Sequence, residues 1–174
     1  MKKLCLGTAM WGWSVDEDMA YSILDCFYSN GYRYIDTANN YPLNDIRKDY
    51  HKSEMFISKW CKSRGVKDLK ITYKIGSLSN SYTHENDLSP PFMSVQINRA
   101  IEIFTENLHT VMIHWDNRNN LSLIKSTIEF LNDYLIKNNL VLGISGIKHT
   151  DIYATIISDM KISKVNVQSK HNFL

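Results

Sequence analysis

Residues 31–42 read Gly31-Tyr-Arg-Tyr-Ile-Asp36-Thr-Ala-Asn-Asn-Tyr41-Pro42. The segment predicts a short strand, Tyr32–Asp36, that ends on a carboxylate, and a following loop that carries the phenol of Tyr41. Gly31 is typical of the residue just after a helix, because glycine readily adopts a left-handed backbone. Two later apolar stretches end in a similar way, on Lys74 and on His114. An acid, a phenol, an amine and an imidazole at successive strand ends predict one proton-transfer site.

Outward from this segment, strands alternate with helices along the whole chain. We expect strands over Lys3–Thr8, Tyr32–Asp36, Leu69–Lys74, Thr110–His114, Leu140–Ser145 and Lys164–Gln168. We expect helices over Asp16–Asn30, Ser53–Arg64, Phe92–Leu108, Leu121–Asn138 and Thr150–Asp159. Strict alternation favours a parallel sheet with helices outside, and the glycine fingerprint of a dinucleotide-binding sheet is absent after the first strand. The sequence therefore predicts one domain, residues 1–174, with an incomplete TIM-type (β/α)8 barrel that lacks about two strand–helix units.

Composition narrows the function classes. The 174 residues are 44% hydrophobic and 22% charged, with a net charge of +2 and no basic stripe, so we expect no nucleic-acid partner. No apolar run is long enough for a membrane span, and the opening Met-Lys-Lys-Leu-Cys-Leu-Gly is too short and too soon polar to be expected to act as a signal peptide. Three cysteines without paired spacing favour free thiols in a reducing compartment. We therefore expect a cytoplasmic protein without a metal site.

Each of the four strand-end side chains has a simpler interpretation when it is considered alone. Asp36 could cap a turn, and Tyr41 could pack in a loop. Lys74 could be a solvated strand end, and His114 could be a core histidine with a satisfied hydrogen bond. The functional interpretation depends on all four lying at the same end of the predicted barrel.

The motifs, taken together and in their order, resemble the aldo-keto reductases. Asp36-Thr-Ala-Asn-Asn-Tyr41 is similar to the family's Asp-Thr-Ala-x-x-Tyr motif, and Lys74 ends the third strand as the family's lysine does. The other matching segments are Leu6-Gly7-Thr8, Ile113-His114-Trp115, Leu142-Gly143-Ile144-Ser145 and Val165-Asn166-Val167-Gln168.

The resemblance implies an NADP(H)-dependent oxidoreductase that reduces an aldehyde, ketone or sugar carbonyl. Tyr41 would be the general acid, assisted by Lys74, because a cation beside a phenol favours its ionised form. Asp36 would hold Lys74, and His114 would bind the carbonyl oxygen. The resemblance further assigns cofactor contacts to Gly7, Thr8, Ser145 and Gln168, and substrate contacts to Trp11 and Trp115.

Three departures from the family pattern weigh against full activity. Gly146 stands where the family usually has asparagine, the family's opening hairpin is minimal, and the last two strands with their cofactor-binding loops are absent. Unpaired first and last strands would expose Leu4, Leu6, Val165 and Val167 and invite pairing with another chain. The chain would then be a fragment of a longer product, a self-associating sheet or a weakly functional relative.

Other interpretations stay open at this point. A non-catalytic barrel remnant would act, if at all, through association. A Schiff-base enzyme using Lys74 is a further alternative, but it leaves the Asp36–Tyr41 spacing unexplained. The polar loop Gly76–Pro91 could contact substrate through Tyr82, His84 or Phe92, or be a solvated insertion.

Overall fold

The computed structural model describes residues 4–81 and 83–169. The strands are β1 (Cys5–Gly7), β2 (Tyr34–Ala38), β3 (Lys70–Ile75), β4 (Leu108–Ile113), β5 (Val141–Ser145) and β6 (Val165–Gln168). The helices are α1 (Glu17–Ser29), α2 (Lys52–Arg64), α3 (Pro90–Phe104), α4 (Leu121–Lys137) and α5 (Thr150–Asp159). Short 3-10 turns lie at Arg47–Asp49 and Thr105–Asn107. Lys3, Tyr82 and residues 170–174 lie outside the described residues.

All neighbouring strands are parallel, and their order in the sheet is their order in the chain, β1 to β6. This order, with a helix between each pair of strands, confirms the predicted incomplete TIM-type barrel. Carboxyl ends of parallel strands share one edge of the sheet, so residues at or just after these ends can meet.

Residues that favour helix ends bound α1 and α2, and Gly31 follows a helix as predicted. Asp16 caps α1, since its carboxylate accepts a 2.8 Å hydrogen bond from the backbone N–H of Met19. Gly31, with φ of 83°, follows α1, and Gly65, with φ of 64°, follows α2. These left-handed positions turn the chain back towards the sheet.

The third helix and fourth strand lie earlier than predicted. The helix begins at Pro90 rather than Phe92, because proline suits the first helical turn, where its missing N–H has no partner to lose. It ends at Phe104, and Thr105 adopts a positive φ of 49°. Strand β4 therefore begins at Leu108 and leaves His114 just beyond its end.

Successive side chains of β3 point alternately to the hydrophobic core and to the inside of the barrel. Tyr73 is fully buried and contacts Glu54 of α2 and Arg99 of α3, so it faces the helices. Lys74, the next residue, therefore faces the inside of the barrel, since successive strand side chains point to opposite faces. The helix-facing side of the sheet forms one hydrophobic core that includes Leu24, Ile35, Ile71, Ile97, Ile113 and Ile128.

Strands β1 and β6 form the two edges of the sheet, and within the described residues neither pairs with a further strand on its outer side. Leu4 is 55% exposed and Val167 is 69% exposed, whereas Leu6 and Val165 are half-buried. No helix among residues 4–81 and 83–169 has the length and apolarity needed to cross a membrane. Cys61 is buried, but Cys5 and Cys26 are exposed, and all three are free thiols.

Candidate active site

A cavity of about 410 Å³ opens at the carboxyl ends of the strands. It is lined by Asp36, Tyr41, Lys74, His114, Ser145, Gly146, Gln168 and Ser169. The structure therefore brings together the four side chains predicted to carry proton transfer and two of those predicted to bind a cofactor.

A buried ion pair between Lys74 and Asp36 lines this cavity. The parallel register aligns Ala38 with Lys74, so Asp36 lies on the neighbouring strand within reach of the Lys74 Nζ, which it contacts through Oδ1. Burial lowers the pKa of Lys74, but Tyr41 and Asp36 together raise it more, so the net pKa is above its usual value. Lys74 is therefore an ammonium at neutral pH.

Gln168, on β6, hydrogen-bonds both members of the Lys74–Asp36 ion pair. Its Oε1 accepts from Lys74 Nζ and from Ser145 Oγ, each at 3.3 Å, and its Nε2 donates to Asp36 Oδ2 at 3.2 Å. The register of β5 with β6 places Ser145 beside Gln168. A residue 132 positions from Asp36 thus completes the hydrogen bonding of the carboxylate.

Tyr41 lies in the loop after β2 and is 7% exposed. The Nζ of Lys74 lies 5.0 Å from the centre of the Tyr41 ring, and the His114 ring meets it edge-on with centroids 5.6 Å apart. The Lys74 ammonium and the His114 imidazole therefore both lie close to the Tyr41 ring in the cavity lining.

His114 is held just beyond β4. Its backbone N–H donates to the Ile75 carbonyl at 3.1 Å, and its Nδ1 lies 3.2 Å from Ser77 Oγ. Burial lowers the pKa of His114 well below its usual value, with further lowering from the nearby Lys74 and His84. His114 is therefore a neutral imidazole at neutral pH.

The atoms around Gly146 account for a glycine at this position, where the family usually has asparagine. Its φ is +57°, and a Cβ added there would lie 2.9 Å from the His114 carbonyl oxygen and 3.1 Å from the Trp115 Cβ. A side chain at this position would displace the segment that carries His114, so glycine here permits the close approach of two strand ends.

The remaining predicted contacts lie outside the cavity lining. Thr8 is fully buried, and its Oγ1 donates to the Asp36 carbonyl at 3.0 Å and accepts from Ser53 Oγ at 2.8 Å. Gly7, on the edge strand β1, pairs with Asp36 of β2. Trp11 is a core residue that is 3% exposed. The cofactor role of Gly7 and Thr8 and the substrate role of Trp11 stay predictions.

Trp115 packs on the histidine rather than on the cavity. Its ring centre lies 4.0 Å from that of His114, and the His84 ring meets it edge-on at 5.3 Å. The loop between β3 and α3 therefore reaches the site through His84, whereas Phe92 lies on α3 and packs against the core. Tyr82 lies outside the described residues, and substrate contact by this loop or by Trp115 stays a prediction.

Sequence reasoning missed Ser77 and its supports. The Ser77 carbonyl accepts from Tyr50 Oη at 2.8 Å and from Asn39 Nδ2 at 2.9 Å. The position of Ser77, three residues after the strand-end Lys74, is the sequence signal that could have drawn attention to it. Among residues 4–81 and 83–169, no cluster of histidine, cysteine or carboxylate side chains has a geometry suited to a metal ion.

Two curated enzymes have amino-acid sequences similar to this chain. Norsolorinic acid reductase B of Dothistroma septosporum is 29% identical over 162 residues, which cover 82% of this chain and 38% of that protein. The enzyme of the same name from Aspergillus parasiticus is 39% identical over 72 residues, 37% of this chain and 17% of that protein. The chain thus spans well under half the length of these curated relatives.

A solved structure has the same fold. The crystal structure of an aldo/keto reductase from Brucella melitensis superposes with a TM-score of 0.65 at 18% identity, covering 98% of this chain and 59% of that one. The model of the aldo/keto reductase family matches residues 3–174. Since that match runs over nearly every residue, the chain belongs to the aldo/keto reductase family.

Proposed function

We propose that the protein is an NADP(H)-dependent oxidoreductase that reduces an aldehyde, ketone or sugar carbonyl to an alcohol, with Tyr41 as the proton donor. The observation that carries the proposal is the shared cavity in which the Lys74 ammonium lies 5.0 Å from the centre of the Tyr41 ring. The reductase names of the relatives support it.

Proton donation by Tyr41 depends on Lys74. A free phenol is a poor acid at neutral pH, and a neighbouring cation stabilises the phenolate that remains after the proton has left. Asp36 and Gln168 fix the Lys74 ammonium by hydrogen bonds, so it needs no reorganisation when the charge develops.

His114 is the group that would orient the carbonyl. A neutral imidazole carries one N–H donor, and a donor aimed at the carbonyl oxygen polarises it towards attack at carbon. Burial among Tyr41, Trp115 and Ser77 fixes the ring, so the angle of the carbonyl relative to Tyr41 would be set by His114.

The nicotinamide carboxamide of the cofactor fits the polar groups that line the cavity. A nicotinamide carboxamide needs both a donor and an acceptor, and the Ser145 hydroxyl and the Gln168 amide supply them beside the ion pair. When bound, NADP(H) would supply the hydride that the carbonyl carbon takes up. Among the described residues of the lining, Lys74 is the one cation, and it is paired with Asp36, so this part of the lining offers no free cation to a cofactor phosphate.

The test is Tyr41→Phe, which removes the acid and keeps the ring. We expect kcat/KM for carbonyl reduction to fall by roughly 10²–10⁴-fold, while NADPH affinity, measured by fluorescence titration, stays unchanged. Tyr134→Phe is the matched control, because Tyr134 is a tyrosine on α4 that bonds Asn98 away from the cavity. Retained turnover in Tyr41→Phe would remove the assigned role from Tyr41.

A second candidate is a barrel unit without catalysis of its own that acts through association. The observation that favours it is the pairing of Lys74 with Asp36, which leaves the described cavity lining without a free cation for a cofactor phosphate. NADPH separates the two candidates, because a ligand that binds the native state protects it from proteolysis. Protection by NADPH favours the enzyme, and its absence in a folded chain favours the non-catalytic unit.

The substrate partner is a small-molecule carbonyl compound, and we place the protein in the cytoplasm. The three free thiols suit a reducing compartment. No nucleic-acid or membrane partner forms part of this proposal.

A further inference from the structure

Ser77 and His114 form a buried polar pair at the edge of the cavity. The Oγ of Ser77 lies 3.2 Å from Nδ1 of His114, and the two residues are 0% and 7% exposed. The protein therefore shields this contact from bulk solvent almost completely.

Independent contacts fix the backbone of Ser77. Its carbonyl accepts from Tyr50 Oη at 2.8 Å and from Asn39 Nδ2 at 2.9 Å, and Ser77 forms an antiparallel bridge with Asn86. The backbone of Ser77 therefore has a position that does not depend on His114. The hydroxyl that it carries is a partner for one nitrogen of the imidazole.

The partners available to Ser77 Oγ decide which atom donates in its hydrogen bond with His114 Nδ1. Among the described residues, Nδ1 of His114 is the partner found for Ser77 Oγ. If Nδ1 carried the proton, the Ser77 hydroxyl would accept from it, and its own hydrogen would be buried without an acceptor. A buried donor without an acceptor destabilises the fold, because it has lost its hydrogen bonds to water without a replacement. Donation from Ser77 to an unprotonated Nδ1 avoids that cost and places the proton of the neutral ring on Nε2.

We propose that Ser77 is a positioning residue that holds His114 in the Nε2–H tautomer, so that the histidine presents a hydrogen-bond donor to a carbonyl oxygen in the cavity. The inference deepens the proposed reductase function and rests on it for its catalytic meaning. The opposite tautomer would present a lone pair on Nε2, which repels a carbonyl oxygen. The Trp115 ring, 4.0 Å away, packs on the imidazole and opposes a ring flip that would exchange the two nitrogens.

The direct test is the tautomer itself. Long-range ¹H–¹⁵N correlation spectra of the whole chain with ¹⁵N-labelled histidine distinguish Nε2–H from Nδ1–H, and His114→Gln identifies the His114 signals. We expect Nε2–H in the wild type, loss of that bias in Ser77→Ala and its recovery in Ser77→Thr, which keeps a hydroxyl. Ser58→Ala is the matched control, because Ser58 is a buried serine whose hydroxyl bonds Ile103 far from the site.

Kinetics supply the second measurement. We expect Ser77→Ala to lower kcat/KM for carbonyl reduction by roughly three- to tenfold, as for the loss of one hydrogen bond, with NADPH affinity unchanged. Nδ1–H in the wild type, or an unchanged tautomer in Ser77→Ala, overturns the inference whatever the activity. Nε2–H in a wild type without reductase activity overturns the proposed function and leaves the serine–histidine pairing intact. If Ser77→Ala does not fold, the wild-type and Ser77→Thr spectra decide.

Discussion

At the scale of single residues, the neutral state of His114 has a consequence for stability. Burial, then Lys74 on β3 and His84 in the following loop, hold the pKa of His114 well below its usual value, and Tyr41 and Ser77 pack on the same ring. In the unfolded chain a histidine gains its proton as the pH falls below about 6.5. The unfolded state then binds more protons than the native state, so stability falls with the pH.

We predict that the free energy of unfolding falls between about pH 7.5 and pH 5.5 and that His114→Gln makes this slope shallower. Urea denaturation at several pH values measures it. Part of the slope should remain, because burial and the nearby Lys70 and Lys164 also lower the pKa of His109. His149→Gln is the control, since His149 is half-exposed and lies outside the cavity lining, and an equal loss of slope in both variants would contradict the prediction.

At the scale of secondary-structure elements, Asp116 joins the helices behind the site. It follows β4 and is 1% exposed, and its carboxylate accepts from Tyr153 Oη of α5 at 2.7 Å and from Arg118 at 2.8 Å. Arg118 also donates to Thr127 of α4 at 3.1 Å, and the Asp116 N–H donates to the Gly146 carbonyl at 3.3 Å. One carboxylate thus fixes two helices relative to the segments that carry His114 and Ser145.

We predict that Asp116→Ala lowers the free energy of unfolding by about 3–5 kcal/mol, because it leaves the half-buried Arg118 and the buried Tyr153 without their partner. Glu106→Ala is the control, since the Glu106–Lys67 pair is exposed, and we expect a much smaller loss there. Equal losses in the two variants, measured by urea denaturation, would mean that Asp116 does not join the elements in this way.

At the scale of the whole molecule, the dominant feature is the pair of sheet edges that β1 and β6 form within residues 4–81 and 83–169. A strand at a sheet edge leaves backbone donors and acceptors available to another chain. The apolar groove beside β6, about 400 Å³ in volume, is lined by Ile144, Ile147, Tyr153, Ala154, Ile157 and Val167 among others. An exposed edge next to an apolar groove favours association, and we propose that the chain self-associates through its edge strands.

We predict that size-exclusion chromatography with light scattering shows concentration-dependent association and that Val167→Lys reduces it, because a charge on an edge strand opposes pairing. Val95→Lys is the matched control, since Val95 is 63% exposed on α3 whereas Val167 is 69% exposed on β6. A single monomeric species at every concentration contradicts self-association, and equal effects of both substitutions contradict a role for β6.

The local sequence determined the elements and the nature of the site. Asp16, Gly31 and Gly65 marked helix ends through backbone preferences that need no distant partner. Apolar runs that carry Asp36, Lys74 and His114 predicted their convergence, because parallel strands share one carboxyl edge. The prediction that two strands end on Asp36 and Lys74 was wrong, since β2 continues to Ala38 and β3 to Ile75. The predicted bounds of the third helix were wrong, since the helix begins at Pro90 and ends before Thr105, whose φ is positive.

Only the tertiary structure decided which partners each site residue has. The contact of Gln168 with Asp36 spans 132 positions and depends on the registers across the sheet, and the pairing of Ser77 with His114 depends on the path of a loop. The glycine at position 146 likewise has its reason in the His114 carbonyl, a neighbour distant in sequence. The sequence determined which chemical groups stand at the strand ends, because periodicity and turn preferences are local, whereas their protonation and orientation follow from burial and contacts that exist only in the folded chain.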